Sequence, residues 1–288
     1  MSDPTPRPRT LGIIAGSGPL PIKLAEAARA QGRDVFIVGI QGAAGPSIEA
    51  WPHGWIRIGG AGKFLRLVKQ AGCEDIVFIG PITRPRLRDI VPDWTGLILL
   101  PDFIRRLKIG DDALLRGVVE FLERNGMKIV PAESILTTLL AQEGLLSNAV
   151  PDAAHQADID LGISAALDIG SRDIGQGVVV RNGKVIALED VKGTDNMLFR
   201  VAAEFPDGKN GRSGVLVKLP KPAQDRRVDL PTIGSRTVER AAMAGLAGIA
   251  VEAGGAIIAD TDEIRAAADR LGLFVLCFPP SRLDSLTP

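Results

Sequence analysis

Short apolar runs recur along this chain, most of them closed by glycine or proline and followed by a stretch with helical spacing. Residues 11–15 (LGIIA) come first, apolar at nearly every position, as expected of a parallel strand buried on both faces. Gly16-Ser17-Gly18-Pro19-Leu20-Pro21 closes that run, and a helix is expected over 22–30. Further strands are expected over 35–40 and 75–79, with a short run at 55–58 and a helix over 63–70. This β-α-β alternation predicts an α/β chain whose N-terminal domain is a Rossmann-like open sheet. Helices over 94–108 and 112–124, a strand over 127–130 and a short helix over 134–140 continue it.

The pattern breaks at residues 143–152, EGLLSNAVPD, where Gly, Asn and Pro interrupt the periodicity. The expected division is a domain over 1–145, a linker and start of a connecting helix over 146–160, and a smaller C-terminal α/β domain with a mixed sheet over 161–288. The helix is expected over 155–167, with Ile159, Ile163, Ala166 and Leu167 on one face. Asn182-Gly183 between two β-rich runs predicts a hairpin. Thr194 or Asp195 is expected to cap a helix over 196–203. A strand-like run at 214–219, a helix over 237–244, strands over 249–253 and 256–259, a helix over 263–271 capped by Asp260 or Thr261, and a strand over 273–278 complete the reading.

With 288 residues, 45% of them hydrophobic, the chain is long enough for two cores. It has no Tyr and 4% aromatic residues, so aliphatic side chains fill them, which suits α/β layers. Lys+Arg and Asp+Glu are balanced at 34 each, leaving no global positive field to hold a nucleic acid. Cys73 and Cys277 stand far apart in apolar surroundings, so small core residues in a reducing compartment are expected, with neither a disulfide nor a thiolate metal site. No signal core is visible, and no run approaches the roughly 20 apolar residues that span a bilayer. A soluble protein is expected, able to touch a membrane surface.

The candidate chemistry falls in four places. Gly16, Ser17 and Gly18 form a strand-to-helix turn of the kind that brings backbone N–H groups to an anion. Pro21 and the absence of an acidic residue after the second strand exclude the full dinucleotide fingerprint, so NAD is rejected and a nucleotide or phosphate kept. Arg84, Arg86 and Arg88 follow the strand at 75–79, placed for a phosphate or lipid headgroup. Glu189, Asp190 and Asp195 lie within seven positions and suit a divalent metal, while Glu252 sits inside an apolar strand, costly unless paired or metal-bound. The fourth place is the Pro-interrupted loop at 218–234, KLPKPAQDRRVDLPTIG, which sets Lys218, Lys221, Arg226 and Arg227 beside Asp225 and Asp229. Cationic neighbours should keep Asp225 ionised.

GIIAGSGPLP at 12–21, EDVKGTDNML at 189–198, the loop at 218–234 and AGIAVEAGG at 247–255 occur in that order, and together they resemble the LpxI family over nearly the whole chain. The resemblance implies Mg²⁺-dependent hydrolysis of the pyrophosphate of UDP-2,3-diacylglucosamine to UMP and 2,3-diacylglucosamine 1-phosphate (lipid X) in lipid A biosynthesis. It also implies a homodimer, two α/β domains holding the lipid between them, and work at the cytoplasmic face of the inner membrane. Asp225 is then the first catalytic candidate, Asp229 the second and Lys218 a third. Substrate contacts fall to Gly16, Ser17, Gly18, Gly80, Thr194, Lys221, Gln224, Arg226, Arg227 and Thr232. Metal candidates are Asp225, Asp195, Glu189, Asp190 and Glu252. Two rivals stay open: a non-catalytic nucleotide-sugar-binding protein, indifferent to Asp225→Asn, and a Mg²⁺-dependent phosphotransferase, which would deliver phosphate to an acceptor other than water.

Overall fold

The computed structural model describes residues 10–82, 89–205 and 211–286, so the arginine cluster at Arg84, Arg86 and Arg88 lies outside the described residues. The chain divides into two compact units, Met1–Thr137 with Asp225–Asp229, and Thr138–Gln224 with Leu230–Pro288.

The first unit is an open parallel sheet. Its strands β1 (Thr10–Ala15), β2 (Val35–Ile40), β3 (His53–Ile56), β4 (Cys73–Ile79) and β5 (Lys128–Ile129) lie in the order β3-β2-β1-β4-β5. Ile13 pairs with Ile37 on one side and Val77 on the other, all three buried completely. This is why those runs read as uniformly apolar: both faces of each central strand are covered. Helices α1 (Leu20–Ala30), α2 (Ala61–Gln70), α3 (Trp94–Ile109) and α4 (Asp111–Arg124) connect them. Phe64 and Val68 of α2 and Val119 and Leu122 of α4 enter one core with Ile14, Val38 and Ile76. The order reverses between β1 and β4, the position where open sheets of this kind bind ligands beyond their strand ends.

The helix expected over 134–140 is two 3₁₀ turns instead, Ala132–Ser134 and Thr137–Leu139. Two β-branched residues, Thr137 and Thr138, oppose helix there, and the backbone is then drawn into pairing. Leu140 bridges to Ile257, and Ala141 N–H donates to the Ala256 carbonyl.

The second unit has a mixed sheet in the order β6-β13-β11-β9-β7-β8. These strands are β6 (Gly144–Leu145), β7 (Gly177–Arg181), β8 (Lys184–Leu188), β9 (Val215–Lys218), β11 (Gly248–Glu252) and β13 (Phe274–Phe278). β9, β11 and β13 run parallel, and β6, β7 and β8 add antiparallel pairs. Two further strands, β10 (Thr232–Ile233) and β12 (Ile257–Ile258), pair in parallel with each other. Alternate residues face opposite ways. Val179, Leu216, Ile249, Val251, Val275 and Cys277 join a core with α6 (Gly193–Glu204), α7 (Ser235–Met243) and α8 (Thr261–Leu271). Val178, Val180, Val215, Val217, Phe274 and Phe278 join the other, against α5 (Ala153–Ser171). A short C-terminal helix, α9 (Ser281–Asp284), follows.

Two details explain how α5 holds this sheet. Gly162 lets it approach closely, since a Cβ there would lie 2.4 Å from Val217 Cγ2. Asp158, 3% exposed, accepts from the N–H groups of Asn182 (3.0 Å) and Gly183 (2.7 Å), anchoring the expected hairpin turn from below. His155 completes the helix start reciprocally with Asp152.

Candidate active site

At the switch point of the first sheet, two glycine turns pack on each other. A Cβ on Gly16 would meet the Gly80 carbonyl oxygen at 2.2 Å, and Gly80 holds φ +89° with its own Cβ position 2.6 Å from Ser17 O. Both glycines are therefore demanded by packing. Gly16 N–H donates to Ile79 O, and Ser17 N–H and Oγ–H both donate to Pro81 O. Those amides are engaged within the fold, so the part of the turn left for an anion centres on Gly18, which has φ +86° and no atom within 4 Å of its Cβ position.

The loop between β9 and β10 divides its residues between the two units. Asp225–Asp229 belongs to the first, where Val228 packs against the core and Arg227 Nη1 donates to Glu123 Oε1 of α4 at 2.8 Å. Asp225 opens a turn whose carbonyl accepts from Val228 and Asp229 N–H. Its carboxylate accepts from Arg227 N–H (3.1 Å), Nε (2.9 Å) and Nη2 (2.7 Å). The Arg227 hydrogen bonds hold the Asp225 carboxyl below the usual carboxylate range despite partial burial, as the sequence led us to expect. Arg227 is raised in turn, first by Asp225 and then by Glu123. Arg226 is exposed and Asp229 half-buried.

The remaining loop residues belong to the second unit. Lys221, 9% exposed, donates Nζ to Asp173 Oδ1 at 2.6 Å, and Asp173 sits just after α5 with φ +55°. Sequence reasoning missed Asp173, which lies 48 residues away; an Asp beyond the end of a helix is a residue type that tolerates that backbone region. Gln224, also buried, accepts from Lys221 N–H through Oε1 (2.8 Å).

Lys218, at the end of β9, is 4% exposed, and its Nζ donates to the Thr232 carbonyl at 3.2 Å. Among the described residues no carboxylate forms an ion pair with it. A buried cation facing only a neutral acceptor is expensive, and an anionic ligand would offset that cost.

The five acidic metal candidates are not gathered into one cluster. Asp195, in the first turn of α6, pairs with Arg240 and, at 3.7 Å, with Arg236 of α7. It therefore does not cap α6, which starts earlier, at Gly193, with no side-chain cap and with Thr194 in its first turn. Asp190 accepts from Lys192 N–H and pairs with Arg200 at 3.2 Å. Glu252 ends β11, 4% exposed and against Gly255. Among the described residues no group of three or more His, Cys, Asp or Glu is arranged to hold a metal ion. Two oxygens of the connection from β8 into α6 stand out all the same. Glu189 Oε2 and Asn196 Oδ1 are both buried without a hydrogen-bond partner among the described residues, a state that a donor or a cation would relieve.

The two halves of the chain match two family models in sequence order: the LpxI N-terminal domain over residues 10–139 and the LpxI C-terminal domain over 142–276. The chain belongs to the LpxI family. A relative, the UDP-2,3-diacylglucosamine pyrophosphatase LpxI of Caulobacter vibrioides, is 44% identical over 276 residues, covering 94% of this chain and 98% of that protein. In this LpxI-family chain, Asp225 and Lys218 thus stand in a stretch that carries one of the sequence motifs of the resemblance.

Proposed function

We propose that this protein hydrolyses the pyrophosphate bond of UDP-2,3-diacylglucosamine, releasing UMP and 2,3-diacylglucosamine 1-phosphate in lipid A biosynthesis. Its kinship to the Caulobacter enzyme supports the substrate. The observation that carries the chemistry is Lys218, a buried cation with no ion-pair partner among the described residues, in the same loop as a carboxylate kept ionised. Hydrolysis of a pyrophosphate needs positive charge on the phosphoryl oxygens and a carboxylate that orients water. Lys218 supplies the first in this reading, with Lys221, Arg226 and Arg227 as further donors, and Asp225 supplies the second, with Asp229 beside it. The nucleotide end falls to the Gly16–Gly18 turn, and Gly80, Thr194, Gln224 and Thr232 are the remaining substrate contacts.

Mg²⁺ dependence is part of the proposal. Mg²⁺ is commonly held by one or two carboxylates and the substrate's own phosphate oxygens, so it needs no preformed cage of three acidic residues. Glu189, with its unpartnered buried oxygen, is the protein ligand that fits best. Asp190 and Asp195 carry arginine partners, and Glu252 is the other buried carboxylate among these candidates. Bound there, the ion would neutralise charge on the phosphate. A homodimer working as a peripheral protein at the cytoplasmic face of the inner membrane completes the reading; among the described residues no helix is long and apolar enough to cross a membrane.

The test is UMP release from UDP-2,3-diacylglucosamine with Mg²⁺, with EDTA, and by folded Asp225→Asn. Metal-dependent release that the variant lacks is expected. Well-folded protein that binds the substrate without releasing UMP would return the protein to the binding-module alternative, and phosphate delivered to an acceptor other than water would make it a phosphotransferase.

A further inference from the structure

Helix α3 has the sequence WTGLILLPDFIRRLKI, apolar around most of its circumference. Such a helix is normally enclosed. Here Trp94 is 81% exposed, Ile98 71% and Leu97 49%, and Val91 just before the helix is 47% exposed. Positions 94, 97, 98 and 101 fall on one stripe, which continues through exposed Arg105 to Lys108 and Ile109. The helix carries a single acidic residue, Asp102, hydrogen-bonded by Arg105 and Arg106. The outward stripe is therefore apolar over its first two turns, and its last part adds the cations Arg105 and Lys108 beside apolar Ile109.

We propose that this stripe is the surface by which the protein lies on an anionic phospholipid bilayer. A helix of 16 residues is about 24 Å long and lies in the plane of the interface when its apolar side chains enter the acyl boundary. Tryptophan favours that depth because its ring is apolar and its N–H finds water or a headgroup. Arg105 and Lys108 then meet lipid phosphates. The charge pattern disfavours a second copy of the chain as the occupant. A two-fold contact must be self-complementary. Antiparallel helices would set Trp94 and Ile98 against the basic end, and parallel ones would set like charges together. The inference deepens the proposed function, whose peripheral membrane location and diacyl substrate give the contact its purpose, by naming the surface that makes it.

The experiment is cosedimentation of the full chain, without substrate, with vesicles of phosphatidylcholine alone or mixed with phosphatidylglycerol. Wild type is expected to bind the mixed vesicles more tightly. Trp94→Ser/Ile98→Ser should weaken that binding about tenfold or more, and Lys108→Gln should remove part of the preference for anionic lipid. Hydrolysis of substrate in detergent micelles should be unchanged in both, and hydrolysis of substrate in vesicles should fall. Absent binding by wild type, or equal binding by the double variant, overturns the proposal. A shift from dimer to monomer in the double variant assigns the face to a second copy, and a raised KM on micellar substrate assigns it to the acyl chains; either overturns it too. Vesicle binding without hydrolysis would sink the proposed activity and leave the surface standing.

Discussion

Lys218→Met should make the protein more stable and less active, a combination that few substitutions give. The side chain is 4% exposed and its ammonium has the Thr232 carbonyl as its hydrogen-bond acceptor. Burying an ammonium costs several kcal/mol after relaxation, and one hydrogen bond from a charged group returns about 1.5–3 kcal/mol. Methionine has nearly the same length and an unbranched stem, so it can occupy the same space without strain. The difference favours the variant by about 1–2 kcal/mol, which for a unit of this size raises Tm by roughly 3–6 °C. Removing a positive group from the phosphoryl oxygens should meanwhile lower kcat on the order of 10²-fold or more.

Differential scanning calorimetry and UMP release on the same preparations measure both. A fall in Tm would mean that the folded protein already compensates the charge. Unchanged turnover would remove Lys218 from the phosphate site. Either result refutes the reasoning, and a rise in Tm with lost turnover is the signature of a site held at the expense of stability.

At Asp173, alanine should cost about 2–4 kcal/mol by losing the Lys221 ion pair and straining a left-handed backbone, glycine about 1 kcal/mol less than alanine, and asparagine least; equal Tm values for alanine and asparagine would disprove this ordering. Because Arg227 depresses the folded-state pKa of Asp225, the stabilisation is complete above about pH 4 and is lost as pH falls through the lower folded value. Arg227→Met should therefore move the acid edge of the UMP-release profile to higher pH, read from kcat/KM between acidic and neutral buffers. Gly16→Ala should destabilise by about 2 kcal/mol or more because backbone oxygens of Gly80 and Pro81 block the Cβ, and Gly18→Ala by about 1 kcal/mol through its positive φ alone, as read from urea midpoints. Burial raises the Cys73 thiol to about 11 and that of Cys277 to about 12, so neither should react with Ellman's reagent at pH 8 until the protein is denatured.

The central strands of the first sheet were legible because their burial on two faces writes itself as unbroken apolar runs, and the hairpin because Asn182-Gly183 meets the φ demands of its turn. The two-residue strand β10 has no such signature, since its pairing is set by where the loop returns, whereas its partner β12 falls inside the strand expected over 256–259. Of the site, the loop at 218–234 and the ionised state of Asp225 could be read locally, Arg227 being two residues away. The partners Asp173 and Glu123 lie 48 and 104 residues from the cations they hold, and Arg240 lies 45 positions from Asp195, distances at which one sequence carries no pairing signal. Gly16 shows a different limit. That a Cβ there would lie 2.2 Å from Gly80 O, across 64 positions of sequence, could not be read from the turn itself.

These pairings rank the groups of the loop. Arg227 already bridges Asp225 and Glu123, and Lys221 already holds Asp173, so a phosphate arriving at either would compete with a carboxylate. At Lys218 the competitor is a neutral carbonyl, which a phosphate oxygen outbids by charge. In the proposed site Lys218, the cation inside a strand, would therefore gain more from a phosphate than Lys221 or Arg227. Asp225 stands in the opposite condition. Its oxygens accept from the Arg227 backbone and guanidinium, bonds that keep it ionised while lowering its basicity, which suits a group that orients water more than one that must take its proton outright.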